Sequence, residues 1–498
     1  PYAYEFARTH RAADLRRRFA DLESGAEDEF ETRICGRVTA KRVFGKKLAF
    51  FGLRDASGDI QLYLEKHSLG DEYERVLEWT DSGDLVGAVG TMKRTNKGEL
   101  SVRVTQFEML TKSVSPPPDK YRGLSDVKKR YRHREVDLMA NPDVRRTLEL
   151  RSRITSGIRR YLDTLGFLEV ETPMFHAQPG GAEALPFVTK HNALDLELTL
   201  RIATELHLKR FVVGGFDKVY ELGRVFRNEG VSTRHNPEFT SVEVYQAWSS
   251  YETMMDLLED LVLTLGNDLG LLTDESVRYG DETISFRRPW RRVSMRDLVD
   301  AKVPGFSDLV VSENLDAAKA LASDVVSPDL VAKQPSVGSL LNVLFEELCE
   351  ADLRDPTFVL DYPVEVSPLA KPHRTLPNFV ERFELFCVGR ELANAFSELT
   401  DPLDQRKRFQ HQADAKANGL NDEACGVDED YLFALEHGLP PTAGMGLGVD
   451  RLVMLLTDSP SIRDVIAFPL QKLSAGSPSS SSSSDGGAAS ASEEASAS

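Results

Sequence analysis

Between Thr32 and Val104, apolar and polar positions alternate with a period of two in five short runs. That period belongs to strands with one buried face. The runs are Arg33–Val38, Leu48–Leu53, Ile60–Leu64, Leu85–Gly90 and Leu100–Val104, the last following the turn Thr95-Asn96-Lys97-Gly98. Asp71–Trp79, ahead of the fourth run, reads as a helix. Five strands with that insertion predict a small Greek-key barrel of the OB type, a fold that commonly takes single-stranded nucleic acid. The roughly thirty residues before it read as a helix, amphipathic and basic over Ala12–Phe19.

Ser115-Pro116-Pro117-Pro118-Asp119 is a stiff linker, because prolines favour extended geometry. The basic run Lys128–Arg134 follows, as a solvated helix face or a nucleic-acid contact. Beyond it, helical periods (Arg145–Leu165, Tyr251–Leu265, Asn314–Ala322, Leu340–Leu348) mix with strands joined by short turns. Such joins favour an antiparallel sheet covered by helices, an α+β design, over a parallel doubly wound one. From Ser474 the chain is Ser/Ala/Gly-rich and is expected to be disordered, having too little apolar surface to offset ordering entropy. The expected organisation is a barrel domain with its N-terminal helix over 1–115 and a linker with a basic helical segment over 116–143. A catalytic domain over 144–472 and a disordered tail over 473–498 complete it.

Composition changes this picture in two ways. The formal charge of −18 is uneven: residues 1–122 carry 21 Lys+Arg and 20 Asp+Glu, so nearly all the negative charge lies beyond them. A neutral barrel with basic clusters can still meet phosphates, while the acidic remainder suits something cationic. The four cysteines (Cys35, Cys349, Cys387, Cys425) lie far apart with no C-x-x-C pair. That argues against a disulfide scaffold or cysteine zinc site and suits a reducing compartment. No run approaches the about 18 apolar residues a spanning helix needs, so no membrane partner is expected. The expected location is the cytoplasm, or a mitochondrion or plastid had a leader been removed.

Three segments carry candidate chemistry. The first is the strand–loop–strand Val225–Tyr245: Arg227 and Glu229 share strand parity, as do Glu243 and Tyr245. An arginine fork suits a phosphate or carboxylate held at two points. The second, Arg382–Glu398, puts Asn394 and Glu398 on one strand face. Glu391 has the opposite parity, so it would join them only through a bulge near Ala393. Carboxylates converging without a basic partner need a cation, either Mg²⁺ with a nucleotide or an ammonium group. The third, Gly444–Arg451, enters a helix after alternate glycines that admit a flat ligand or another backbone. It fits neither the P-loop nor the dinucleotide fingerprint.

In this order the segments resemble class II aminoacyl-tRNA synthetases, and closely the lysyl-tRNA synthetases, from about Thr32 to Pro469. Gly166–Pro173 is similar to the family's motif 1, which implies a homodimer. Phe226–Glu229 through Phe239 is similar to motif 2, and Gly444–Arg451 to motif 3. Finer likenesses are Pro179–Ala182, His191–Leu196, Arg201–Leu206 and Arg234–Phe239.

The resemblance implies ATP-dependent joining of L-lysine to tRNA(Lys) through a lysyl-adenylate, with Mg²⁺ as cofactor. It implies that Arg227 bridges the lysine carboxylate and the α-phosphate, with Arg451 as its catalytic partner. Glu229 and Phe239 would hold adenine, Arg451 lying on the ring's other side, with Asn228 and Asn236 beside the nucleotide and His235 at its outer phosphates. Glu384 and Glu391 would hold the metal. Gly181 and Glu205 would take the α-amino group, Asn394 the carboxylate, and Glu243, Tyr245 and Glu398 the ε-ammonium. Phe50, Gln61 and Glu99 would meet the anticodon, with Arg33, Arg37, Lys41 and Arg42 on phosphates, although Phe51 rather than Phe50 is the alternative exposed ring.

Thr204 stands where many of the family have proline, and Ala393 and Ala395 where glycine is frequent, so their methyls would narrow the pocket. An aspartate- or asparagine-specific relative would need a cation for an acidic substrate, where this chain offers Glu243 and Glu398. A lysine–protein ligase would lack the barrel. A catalytically silent RNA-binding protein would have no need of Arg227, Glu391 and Arg451.

Overall fold

The computed structural model describes residues 2–115, 117–118, 123–419, 421 and 423–471. The serine-rich tail and part of the proline-rich linker lie outside them. The described residues part into two compact units between Arg160 and Tyr161.

The first unit holds a closed five-stranded barrel of β1 (Glu27–Phe44), β2 (Leu48–Asp55), β3 (Gly58–Glu65), β4 (Leu85–Arg94) and β5 (Leu100–Thr111). Its order is β1-β2-β3-β5-β4, with β3 and β5 parallel and the other pairs antiparallel. All five anticipated strands are present. Strict alternation along β2 buries Ala49, Phe51 and Leu53 and leaves Phe50 half-exposed. The helix Glu72–Trp79 stands where the sequence put one. The N-terminal helix is much shorter than expected, Ala12–Arg18, because the chain turns through Gly25 in the left-handed region into β1. It is fixed by burial of Ala12 and Leu15 and by the Ala12 N–H, which donates to the buried Asp55 carboxylate at 2.8 Å.

The second unit is built on an eight-stranded sheet. Its strands are β6 (Leu168–Glu169), β7 (Lys218–Phe226), β8 (Glu238–Ala247), β9 (Arg291–Ser294), β10 (Thr357–Pro363), β11 (Phe379–Phe386), β12 (Glu391–Ser397) and β13 (Thr442–Gly448). The spatial order is β9-β10-β11-β12-β13-β8-β7-β6. The six central strands pair antiparallel, as the short joins imply, and only the edge pairs β9–β10 and β7–β6 are parallel. Helices Glu205–Val213, Tyr251–Asp268 and Val449–Leu456 pack on it. A satellite core of helices Met295–Lys302, Phe306–Ser312, Leu315–Ala322 and Val337–Leu348 gathers Phe306, Leu340, Leu344 and Phe345. Among the described residues no helix is long and apolar enough to cross a membrane.

Candidate active site

Sheet register lines up the site. Glu384 pairs with Asn394, Asn394 with Gly446, Gly446 with Glu243 and Glu243 with Glu221, one residue from each of five adjacent strands. Residues so paired share a face. The next row along that face runs Arg382, Phe396, Gly444, Tyr245, Val219. Two glycines leave the middle of the face bare, and a cavity of about 480 Å³ lies over it.

The glycines do different work. A Cβ on Gly444 would overlap Glu398 Oε1 and the Tyr245 ring, whereas one on Gly446 would meet nothing nearer than 3.8 Å. Gly444 therefore makes room for this chain's own side chains, and only Gly446 leaves space for a ligand. The bulge needed to turn Glu391 inward is present. Leu385 pairs with Ala393 but Phe386 with Glu391, so Leu392 is the extra residue. Ala393 and Ala395 are buried on the opposite face, and their methyls do not narrow the cavity as anticipated.

Of the expected residues, Gly181, Glu205, Arg227, Glu229, His235, Asn236, Phe239, Glu243, Tyr245, Glu384, Glu391, Asn394 and Arg451 all line this cavity. Arg227 and Glu229 do so from just past the end of β7 rather than by strand parity. The Arg227 guanidinium sits 5.3 Å from the Phe239 ring centre. Arg451, in the first turn of its helix, donates to the Glu391 carbonyl at 2.7 Å and its carboxylate at 3.0 Å, with His235 beside it at 3.4 Å. Burial, and then Arg451, pushes the His235 imidazole below its ordinary range. Asn228 is exposed and off the cavity wall, its N–H donating to Leu185 O at 2.7 Å. Glu398 is 1% exposed and lies behind the wall, against Gly444 and Tyr245.

The expectation that these carboxylates lack basic partners is corrected. Arg382 donates to Glu384 at 2.6 Å and to Asn394 Oδ1 at 3.0 Å, and Arg451 meets Glu391. Lys209, fully buried, holds Glu205 at 2.5 Å and is also ion-paired with Glu398. Sequence reasoning missed Lys209 and gave Arg382 no role. The available signal for Lys209 was a cation four residues after Glu205 on an otherwise apolar helix face. Burial alone would lower its ammonium, but Glu205 and Glu398 more than offset this and hold it above its ordinary value.

Burial raises Glu205 and Glu398, opposed in both by Lys209. Glu243 is pushed up to about 7 by burial and then by Glu205. It accepts from the Thr204 N–H at 3.1 Å and from the Tyr245 hydroxyl at 3.3 Å. A proline at position 204 would lack that N–H. Glu384 is likewise raised to about 7 by burial, with Arg382 opposing and Glu391 adding to the rise.

In the barrel, Phe50 and Gln61 project from adjacent strands onto the outer face, Phe50 edge-on to Phe44 and Tyr63. Ser101 Oγ bonds both Gln61 Oε1 and the Glu99 carbonyl, which brings two of the three expected readers together. Of the four expected phosphate cations, three are engaged internally. Arg33 donates to Ala7 O, Arg37 to Gly83 O, and Lys41 to Leu77 O and Thr80 O, leaving Arg42 exposed. The run Lys128–Arg134 is neither purely solvated nor purely available for nucleic acid, since Arg134 is fully buried against Asp137 at 2.6 Å.

Residues 126–472 match the family model described as tRNA synthetases class II (D, K and N), and residues 32–110 match that of the OB-fold nucleic acid binding domain. The chain is 57% identical over 481 residues to a lysine–tRNA ligase of Trichormus variabilis, covering 95% of this chain and 84% of the relative. It is 57% identical over 475 residues to that of Thermosynechococcus vestitus (94% and 92%). To that of Gloeobacter violaceus it is 55% identical over 481 residues (96% and 95%).

Proposed function

The chain belongs to the class II tRNA synthetases (D, K and N), and from that premise we propose that it joins L-lysine to tRNA(Lys) at the expense of ATP. One observation carries the choice of amino acid. Glu205 and Glu243 line the cavity and Glu398 lies behind its wall, with Lys209, paired to Glu205 and Glu398, as the buried counter-charge. Three carboxylates, once ionised opposite a cationic ligand, leave two negative charges against the one ammonium. The α- and ε-ammonium groups of lysine balance them, and neither an acidic nor a neutral side chain does. Glu205 and Gly181 receive the α-ammonium, with Glu243 and Tyr245 at the ε-ammonium and Glu398 adding its charge from behind Gly444. Gly181 is in the left-handed region and lies close to Ala203 and Glu205, so a side chain there would crowd this end.

Arg227 and Asn394 take the lysine carboxylate. One of its oxygens attacks the α-phosphorus of ATP in line, the new P–O bond forming as that to pyrophosphate breaks. A terminal ribose hydroxyl of the tRNA then attacks the adenylate carbonyl, forming the ester and releasing AMP. No protein nucleophile is needed, because positioning and charge neutralisation by Arg227 and Arg451 serve this chemistry. Adenine lies between Phe239 and Arg451, with Glu229 at its amino group, Asn236 alongside and His235 toward the outer phosphates.

Among the described residues no three His, Cys, Asp or Glu side chains form a metal cage. The pair Glu384 and Glu391 fits Mg²⁺, which takes one or two carboxylates together with substrate phosphates. Bound there it would neutralise charge on those phosphates. Phe50, Gln61 and Glu99 contact the anticodon by stacking and edge readout. Leu168, Met174 and Phe175, exposed around the motif 1 stretch, supply an apolar surface for a homodimer. The cysteines are all free, which suits the cytoplasm.

The test is lysine-dependent exchange of labelled pyrophosphate into ATP, followed by charging of tRNA(Lys). Exchange supported by aspartate or asparagine and not by lysine would overturn the proposal.

A further inference from the structure

Lys209 is fully buried behind the proposed lysine cavity. Lys209 rises from the helix Glu205–Val213 with its ammonium among Glu205, Glu398 and the rings of Phe396 and Tyr431, whose centres are 5.4 and 5.6 Å away. It is not on the cavity lining. Glu205 lines the cavity, and Glu398 backs it through Gly444 and Tyr245.

We infer that Lys209 is a positioning and specificity-determining residue, which anchors two carboxylates of the amino-acid pocket, one on its wall and one behind it, and limits the pocket's uncompensated charge to what a dibasic ligand neutralises. The inference rests on the proposed lysine specificity. A buried carboxylate that loses its ion-paired cation takes up a proton or moves toward water. Either response removes an acceptor that the ligand's ammonium requires. Lys209 thus acts through Glu205 and Glu398 rather than on the reacting atoms, and its influence belongs to amino-acid capture.

Charged and titratable neighbours reach this cluster from every side. Glu243 and Tyr245 face it from β8, Arg382 from β11 and Tyr431 from the helix Glu429–Glu436, and the charge of Arg227 acts on Glu243. Arg382 is occupied by Glu384, Asn394, Val366 O and Ser367, so it is not free to replace Lys209.

Pyrophosphate exchange by the full-length protein tests this with Lys209→Met, Lys209→Arg, Glu398→Gln and the double variant Lys209→Gln/Glu398→Gln. Lys209→Met should raise the KM for lysine by about tenfold or more, leave the KM for ATP within about twofold, and move the acid limb of kcat/KM for lysine to higher pH. Lys209→Arg should recover part of the loss by restoring the charge. Should Lys209→Met fail to fold, the double variant decides, because its amides replace the Lys209–Glu398 ion pair with a neutral one and leave only Glu205 without its cation. It should raise the KM for lysine about threefold or more beyond Glu398→Gln alone, with the KM for ATP within about twofold, because Glu205 still loses Lys209. Equal rises in the KM for lysine and ATP, or a double variant indistinguishable from Glu398→Gln, overturns the inference. Absence of lysine-dependent exchange in the unaltered protein would instead sink the proposed function, which keeps the two failures distinct.

Discussion

Glu243 sits on β8 and Glu398 just past the end of β12, two pairings away, yet the same buried surroundings govern both carboxylates. Glu398→Gln removes one of the two net charges that greet lysine while keeping shape. It should raise the KM for lysine by about a hundredfold and that for ATP by less than about threefold, as read by pyrophosphate exchange. Glu243, raised to about 7, also sets a pH dependence. Lysine's ammonium needs the ionised carboxylate, so proton and substrate compete. Below pH of about 7, kcat/KM for lysine should fall about tenfold per unit, and above it a plateau is expected. A flat profile down to pH of about 5.5 would show that Glu243 does not meet the substrate's charge.

Strand β13 shows how one glycine-rich element serves two purposes, only one of which is space for a ligand. Gly444 and Gly446 share a face, but only the second opens toward a ligand. Gly444→Ala should displace Glu398 or Tyr245, lower thermal stability by about 1–3 kcal/mol and raise the KM for lysine by at least about tenfold. Gly446→Ala has room for its methyl, so its melting temperature should stay within about 2 °C of the parent, with any kinetic effect coming from a shallower cavity. The bulge at Leu392 is the other decisive detail. It turns Glu391 to the same cavity as Asn394 despite their odd separation of three positions, and its neighbour Arg451 then binds both the backbone and carboxylate of Glu391. Sequence parity located the need for a bulge but not its residue.

Two compact units divide the labour by chemistry as well as by chain. The barrel's outer face offers aromatic and polar groups without the acidity found in the rest of the chain. A fragment beginning near residue 123 and ending at 471 should keep lysine-dependent exchange within about tenfold, because every residue of the cavity lies in it. Charging of tRNA(Lys) by that fragment should fall by at least about a hundredfold, reflecting lost anticodon contacts. Full charging by the fragment would show that the barrel is dispensable for tRNA capture. For the intact protein, the KM for tRNA should climb as salt is raised, since phosphate contacts release counterions.

Local pattern was enough to read the barrel strands, the antiparallel character of the larger sheet and the residue types gathered at the site. Period-two burial and short joins are properties of neighbouring positions, and the three ordered segments name their own chemistry. Partnership was not legible in this way. Whether Glu384, Glu391 and Glu398 stand beside cations, whether Ala393 turns toward or away from the cavity, and that Lys209 lies between two carboxylates all depend on which distant strands and helices become neighbours. Alternation gives the face of a side chain but not what lies across from it, and it is that opposing group, in a medium poorer in water, that sets charge.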